Sequence, residues 1–118
     1  MKTLVIGASE KPERYSNKAI KLLLHFGHEV VAIGSRKGNI DGVGFDKELV
    51  AFEGVDTVTL YVNSTIQKQY YDYIISLKPR RVIFNPGTEN VEFEALLQKN
   101  NIETEEACTL VLLNTGQF

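Results

Sequence analysis

Thr3-Leu4-Val5-Ile6-Gly7-Ala8-Ser9-Glu10-Lys11-Pro12 joins a short apolar run to a polar loop led by glycine. The β-branched residues of Thr3-Leu4-Val5-Ile6 suit a strand buried on both faces. Gly7 ends that strand, and the loop runs through Pro12 to Tyr15. Ser16 or Asn17 is placed to cap the helix that follows, where Ala19, Ile20, Leu23, Leu24 and Phe26 recur at helical spacing. Gly27 stands where that helix should stop. Glu29-Val30-Val31-Ala32-Ile33 then repeats the signature of a buried strand.

The same alternation continues to the end of the chain. Gly34, Gly38, Gly42 and Gly44, with Asn39 and Asp41, mark residues 34–44 as loop, with a short edge strand near Val43-Gly44-Phe45. A short helix is expected over 46–52, a strand over 56–62, and a helix over 64–77 that ends at Lys78-Pro79. Arg81-Val82-Ile83-Phe84 reads as a strand and Asn85-Pro86-Gly87 as a turn. Residues 92–99 read as helix, 102–105 as strand and 109–113 as a last turn or helix. Strands separated by helices pair in parallel through right-handed crossovers. The expected fold is therefore α/β and Rossmann-like: a doubly wound, mostly parallel sheet of five to six strands with helices on both faces. The expected strand order is 3-2-1-4-5-6, with the Val43 strand at one edge, and residues 1–118 form a single domain.

Composition narrows the class of function. With 43% hydrophobic and 24% charged residues the chain is ordinary globular protein. A net charge of -2 argues against a general nucleic-acid or membrane-surface binder. One cysteine, Cys108, excludes an internal disulfide and a cysteine-rich metal site. The N-terminus has no signal-peptide pattern and no long apolar run follows, so a cytoplasmic location is expected.

In a doubly wound sheet, ligands lie beyond the carboxyl ends of the strands, where the strand order reverses. The loops to inspect are 7–15, 34–37 and 63–65. Gly7-Ala8-Ser9 lets backbone N–H groups approach phosphate oxygens. Ser9 adds a hydroxyl, the next helix adds the positive end of its dipole, and Lys11 and Arg14 add mobile cations. The run is not a dinucleotide fingerprint, because the second and third glycines of G-x-G-x-x-G are replaced by Ser9 and Pro12. The acid that would hold NAD ribose hydroxyls after the second strand is also missing, and Ser35-Arg36-Lys37 stands there instead. A basic pair with no neighbouring acid suits a phosphorylated ribose, as in NADP or coenzyme A.

Gly7-Ala8-Ser9 with Lys11, Pro12 and Arg14, followed by a helix and an apolar strand, resembles the stand-alone CoA-binding domain family. These proteins are small relatives of the N-terminal domain of the succinyl-CoA synthetase alpha subunit. The resemblance continues through Ile40-Asp41-Gly42, Val55-Asp56-Thr57-Val58, Asn85-Pro86-Gly87-Thr88-Glu89-Asn90 and Glu106-Ala107-Cys108-Thr109. It implies a Rossmann-like fold that holds CoA across the carboxyl ends of the strands. Gly7, Ala8 and Ser9 would cradle the pyrophosphate, assisted by Lys11 or Arg14. Ser35, Arg36 and Lys37 would lie near the phosphorylated ribose. Val62, Asn63 and Ser64 would flank the adenine, and Asn85, Pro86, Gly87 and Thr88 would border the pantetheine arm. Two departures stand out. Many relatives carry Asn-Pro where this chain has Gly34-Ser35, and an aromatic-rich segment where it has Phe84-Asn85-Pro86.

No catalytic or metal-binding set accompanies these loops. His25 and His28 read as helix-surface and helix-end residues. Glu103 and Glu105 fall on one face of a strand with no histidine beside them. Cys108 reads as a small packed side chain, with a mixed disulfide to a CoA thiol as its functional alternative. Tyr70 and Tyr73 share a helical face with Leu77, which packs in the core or, if exposed, forms a homodimer surface. The expectation is a non-enzymatic module that binds a small nucleotide ligand, coenzyme A or acyl-CoA, and neither nucleic acid nor membrane. Its rivals are a small NADP-binding oxidoreductase or redox sensor, and an interaction module that has lost its ligand.

Overall fold

A computed structural model describes all residues from Met1 to Phe118. Its strands are β1 (Lys2–Ala8), β2 (Glu29–Gly34), β3 (Gly38–Ile40), β4 (Val43–Asp46), β5 (Val55–Leu60), β6 (Arg81–Phe84) and β7 (Glu103–Glu106). Its helices are α1 (Tyr15–His25), α2 (Ser64–Gln67), α3 (Tyr71–Leu77), α4 (Val91–Lys99) and α5 (Thr109–Asn114). A single sheet runs in the order β3-β4-β2-β1-β5-β6-β7, and every pairing but β3–β4 is parallel.

Strand alternation divides the core between the two faces. Leu4, Ile6, Val58, Leu60, Val82 and Phe84 pack with Tyr70, Ile74, Phe93 and Leu97 on one side. Val5, Ala8, Val30 and Ala32 pack with Ile20, Leu23 and Leu113 on the other. The α/β, doubly wound architecture is as expected, and the six expected strands stand in the expected order. The sheet nevertheless has seven strands, because residues 38–40 pair with β4 instead of looping. Asp41 and Gly42 both have positive φ, 48° and 92°, so they form a two-residue turn that closes an antiparallel hairpin with Ile40 opposite Val43. The sheet edge is therefore β3, and β4 is interior.

Three local expectations fail, each for a tertiary reason. The cap of α1 is Arg14, not Ser16 or Asn17; both are buried in its first turn, where Asn17 Nδ2 donates to the Ser9 carbonyl at 2.9 Å. Residues 47–54 form no helix. Asp46 Oδ1 takes the N–H of Lys47, and the carbonyls of Val50 and Glu53 are taken by Tyr73 Oη and Lys2 Nζ. A segment this short has too few bonds of its own to nucleate. The helix expected over 64–77 is interrupted by a tighter 3₁₀ turn at Lys68–Tyr70. That turn lets Gln67, Tyr70 and Ile74 all reach the buried side. Tyr70 is thus buried in the core, and Tyr73 packs half-buried against it. Elsewhere the boundaries move by a residue or two, and β1 runs on past Gly7 to Ala8. Gly27 does stop α1: it takes the Leu24 carbonyl, and His28 takes that of Leu23.

Gly34 is required for the close approach of β1, β2 and β4. A Cβ there would lie 2.6 Å from the Ala8 carbonyl oxygen and 2.9 Å from Phe45 Cδ2. Gly34→Ala should cost about 1–3 kcal/mol by overpacking, read as a lower urea midpoint with an unchanged slope. A wild-type midpoint would show that the strands separate freely at this point.

Candidate functional site

Chain direction places the candidate residues along one edge. In a parallel sheet the loops after β1, β2, β5 and β6 all leave from the same end, and these loops with the strand ends that enter them carry every residue expected to bind the ligand. Gly7 lies at the centre of that edge. Its φ of 101° and a register break between Ile6 and Ala8 turn the end of β1. A Cβ on Gly7 would sit 3.1 Å from the Tyr61 carbonyl and from Val62 Cγ1. The first loop therefore packs backbone against backbone on the loop after β5. This is the switch point, since the chain crosses from β1 to one side of the sheet and from β5 to the other.

The first loop presents donors. No intramolecular acceptor takes the backbone N–H of Ser9 or Glu10, nor those of Tyr15 and Ser16 at the start of α1. Ser9 Oγ accepts the Lys11 N–H at 3.2 Å, which folds the loop back on itself. Lys11 and Arg14 are exposed and make no ion pair; Arg36 and Lys37, after β2, are likewise exposed and unpaired. One expectation for this second loop is corrected. No acid follows β2 in sequence, but Glu10 reaches across, and its Oε2 accepts the Asn39 N–H at 3.0 Å. Glu10 thereby ties the first loop to the β3–β4 hairpin and sets a carboxylate beside the basic pair.

The loops after β5 and β6 are braced from below by polar groups, of which sequence reading singled out only Asn85 and Thr88, and those as ligand contacts. Asn85 is 2% exposed. Its Nδ2 donates to Thr59 Oγ1 and the Leu60 carbonyl, and its Oδ1 takes the Thr109 N–H at 2.8 Å. Gln67 is fully buried. It donates to the carbonyls of Val62 and Thr88 and accepts from Asn90 Nδ2. Asn90 in turn caps α4 through Phe93. The Thr88 hydroxyl donates to the Asn85 carbonyl. Asn85 and Thr88 are thus supports, while Pro86 and Gly87 are the exposed members of that loop. Asn63 Oδ1 is spent on capping α2, which leaves Val62 and the exposed Ser64 beside it. The only sequence hint of this brace was polar residues inside otherwise apolar patterns.

Other titratable groups fall into structural roles. Glu103 and Glu105 lie 3.4 Å from Arg80 and Arg81, and the Arg81 guanidinium also covers the Phe118 ring. His25 is the last residue of α1 and His28 lies just past its end, both at the opposite edge of the sheet. Burial lowers the pKa of His28. Cys108 is half-buried where α5 begins. Near it the Tyr61 hydroxyl is buried without a partner, beside the Thr59 and Thr109 hydroxyls. Burial pushes the Tyr61 pKa up to about 12, so it is a neutral phenol.

Comparison with known proteins identifies the family of the chain. The family profile described as "CoA binding domain" matches residues 1–114. The chain belongs to this CoA-binding domain family. A crystal structure of an uncharacterized protein is 50% identical, with a TM-score of 0.97 over 99% of this chain and 97% of that one. A Thermus thermophilus structure is 21% identical, with a TM-score of 0.87 over 99% and 90%. A conserved hypothetical protein from Pyrococcus furiosus is 26% identical, with a TM-score of 0.78 over 88% and 90%. The curated proteins give no significant match. No helix is long and apolar enough to cross a membrane.

At the far end of the same edge, Glu94 of α4 faces Glu106 at the end of β7. One Glu94 carboxylate oxygen is buried without a partner. Burial first, then the contact with Glu106, raises the Glu94 pKa above its ordinary 4.5. A raised acid favours its neutral form in the fold, so stability falls as pH climbs from the unfolded value through the folded one. Glu94→Gln, which mimics the protonated acid, should raise Tm at pH 7 and give no gain at pH 3. An equal gain at both pH values would rule out this origin.

Proposed function

We propose that the protein binds coenzyme A or an acyl-CoA across this edge and carries out no chemistry on it. The observation that carries the proposal is the first loop. Open Ser9 and Glu10 N–H groups, the start of α1, and unpaired Lys11 and Arg14 converge beside Gly7, where phosphate oxygens can come close. Membership of a CoA-binding family supplies the ligand class. In this reading the pyrophosphate rests on Gly7, Ala8 and Ser9, and Ser35, Arg36 and Lys37 meet the phosphorylated ribose. Val62 and Ser64 flank the adenine with Asn63 capping behind them, and Pro86 and Gly87 border the pantetheine arm.

The non-catalytic part rests on what surrounds that path. The Tyr61 side chain near Cys108 is a neutral phenol, and both histidines lie at the other edge. Nucleophilic or acid–base catalysis needs a base within hydrogen-bond reach of the reacting group.

Three measurements test the proposal. In thermal shift assays CoA and acetyl-CoA should stabilise the fold more than NADP or NAD. A ligand at 100 times its Kd adds about 2.7 kcal/mol; equal or absent shifts for all four would refute the assignment. The 3′-phosphate at Arg36 and Lys37 is worth about 1.5–3 kcal/mol, or about 10- to 150-fold in affinity. Calorimetry should therefore show dephospho-CoA binding more weakly by that factor, and Arg36→Ala with Lys37→Ala should bring the two ligands together. Equal losses for both ligands would assign the pair to a general field. Finally, the purified protein should not hydrolyse acyl-CoA. A thioesterase rate that follows the protein through purification and vanishes on mutating a cleft residue would overturn the non-enzymatic reading.

A further inference from the structure

Asn17 is 2% exposed in the first turn of α1, and its amide is only half used. Nδ2 donates to the Ser9 carbonyl at 2.9 Å, while Oδ1 is buried with no partner. A leucine of similar size would fill the space and leave no orphaned acceptor, so stability alone does not favour asparagine here. What the amide does is fix one peptide. In a trans peptide the carbonyl of one residue and the N–H of the next point in opposite directions. Holding the Ser9 carbonyl toward α1 therefore turns the Glu10 N–H away from the helix. That N–H has no intramolecular acceptor, and the Glu10 side chain is anchored separately on Asn39. The Ser9 hydroxyl accepts the Lys11 N–H and leaves the Glu10 N–H free.

We infer that Asn17 is a positioning residue of the first loop: it locks the Ser9–Glu10 peptide so that the Glu10 N–H meets an anionic oxygen of the bound nucleotide. The inference rests on the nucleotide reading above, but the lock itself is present without ligand. Asn17→Leu should reorient the Glu10 N–H vector, read by residual dipolar coupling in the unliganded protein, with Tm unchanged or higher. CoA and dephospho-CoA should both weaken at least tenfold and by the same factor, because the lock acts on the pyrophosphate that they share. This separates Asn17 from Arg36 and Lys37, whose loss acts on CoA alone. If Leu prevents folding, Asn17→Ala, which only removes atoms, carries the same readouts. Wild-type coupling at Glu10 with wild-type affinity for both ligands overturns the inference. If wild-type protein binds neither ligand while the variant still turns the Glu10 N–H, the nucleotide assignment falls and the peptide lock stands.

Discussion

The parallel pairing of β1 with both β2 and β5 is the constraint on which the rest depends. Leu4, Val5 and Ile6 are completely buried, so β1 has no solvent face and must be covered by helices on both sides. The register from Lys2 to Ile6 against β2 and β5 sets where all three strands end. Those ends, in turn, fix the loops. A shift by one residue would turn the two core clusters inside out. Because crossovers leave β1 and β5 toward opposite sides of the sheet, a crevice opens between their loops. Gly7 is the residue that lets the two backbones meet at its base.

The edge is held from beneath by buried polar groups. Thr59, Gln67, Asn85, Thr88, Asn90 and Thr109 are all buried, and a buried polar group left unpaired costs about 1–3 kcal/mol. Nearly every one of their donors and acceptors is matched, so the cost is offset and the geometry becomes specific. Asn85 joins the ends of β5 and β6 to the start of α5. Gln67 joins the loop after β5 to the loop after β6. A fully connected network of this kind is rigid, because any one rotation breaks several bonds together. The exposed loop residues above it therefore stand on a fixed base, as a preformed ligand site needs. The orphaned acceptors of Asn17, Tyr61 and Glu94 lie in the loops and helix starts around this same edge. There stability has not been maximised.

Charge is distributed by position and not by amount. The net charge is only -2, yet Lys11, Arg14, Arg36 and Lys37 stand unpaired near the first two loops. The acids of β7 face Arg80 and Arg81 three strands from β1. Glu10 is the exception, since it brings a carboxylate among the cations and uses it to hold the hairpin. The acidic β7, Glu103-Thr104-Glu105-Glu106, is an edge strand with charged residues, which discourages pairing with another chain.

Much of this was legible in the sequence. The period of apolar residues determined the strands, the larger helices and the parallel order, because burying a strand on both faces demands a continuous apolar run. The single glycine at position 7, the small residues after it and the basic loops pointed to the candidate edge for the same local reasons. What remained invisible depends on residues distant in sequence. Asp41-Gly42 made a hairpin only because Ala32 and Ile33 of β2 gave β4 a strand to lie on. Residues 47–54 stayed irregular because Tyr73 and Lys2 took their carbonyls. Asn17 ceased to be a cap once the Ser9 carbonyl was within its reach, and Glu10 met Asn39 across 29 positions. Local pattern fixes which backbone groups a segment can satisfy by itself. Only the folded chain decides which partners satisfy the others, because a hydrogen bond acts over about 3 Å whatever the separation in sequence.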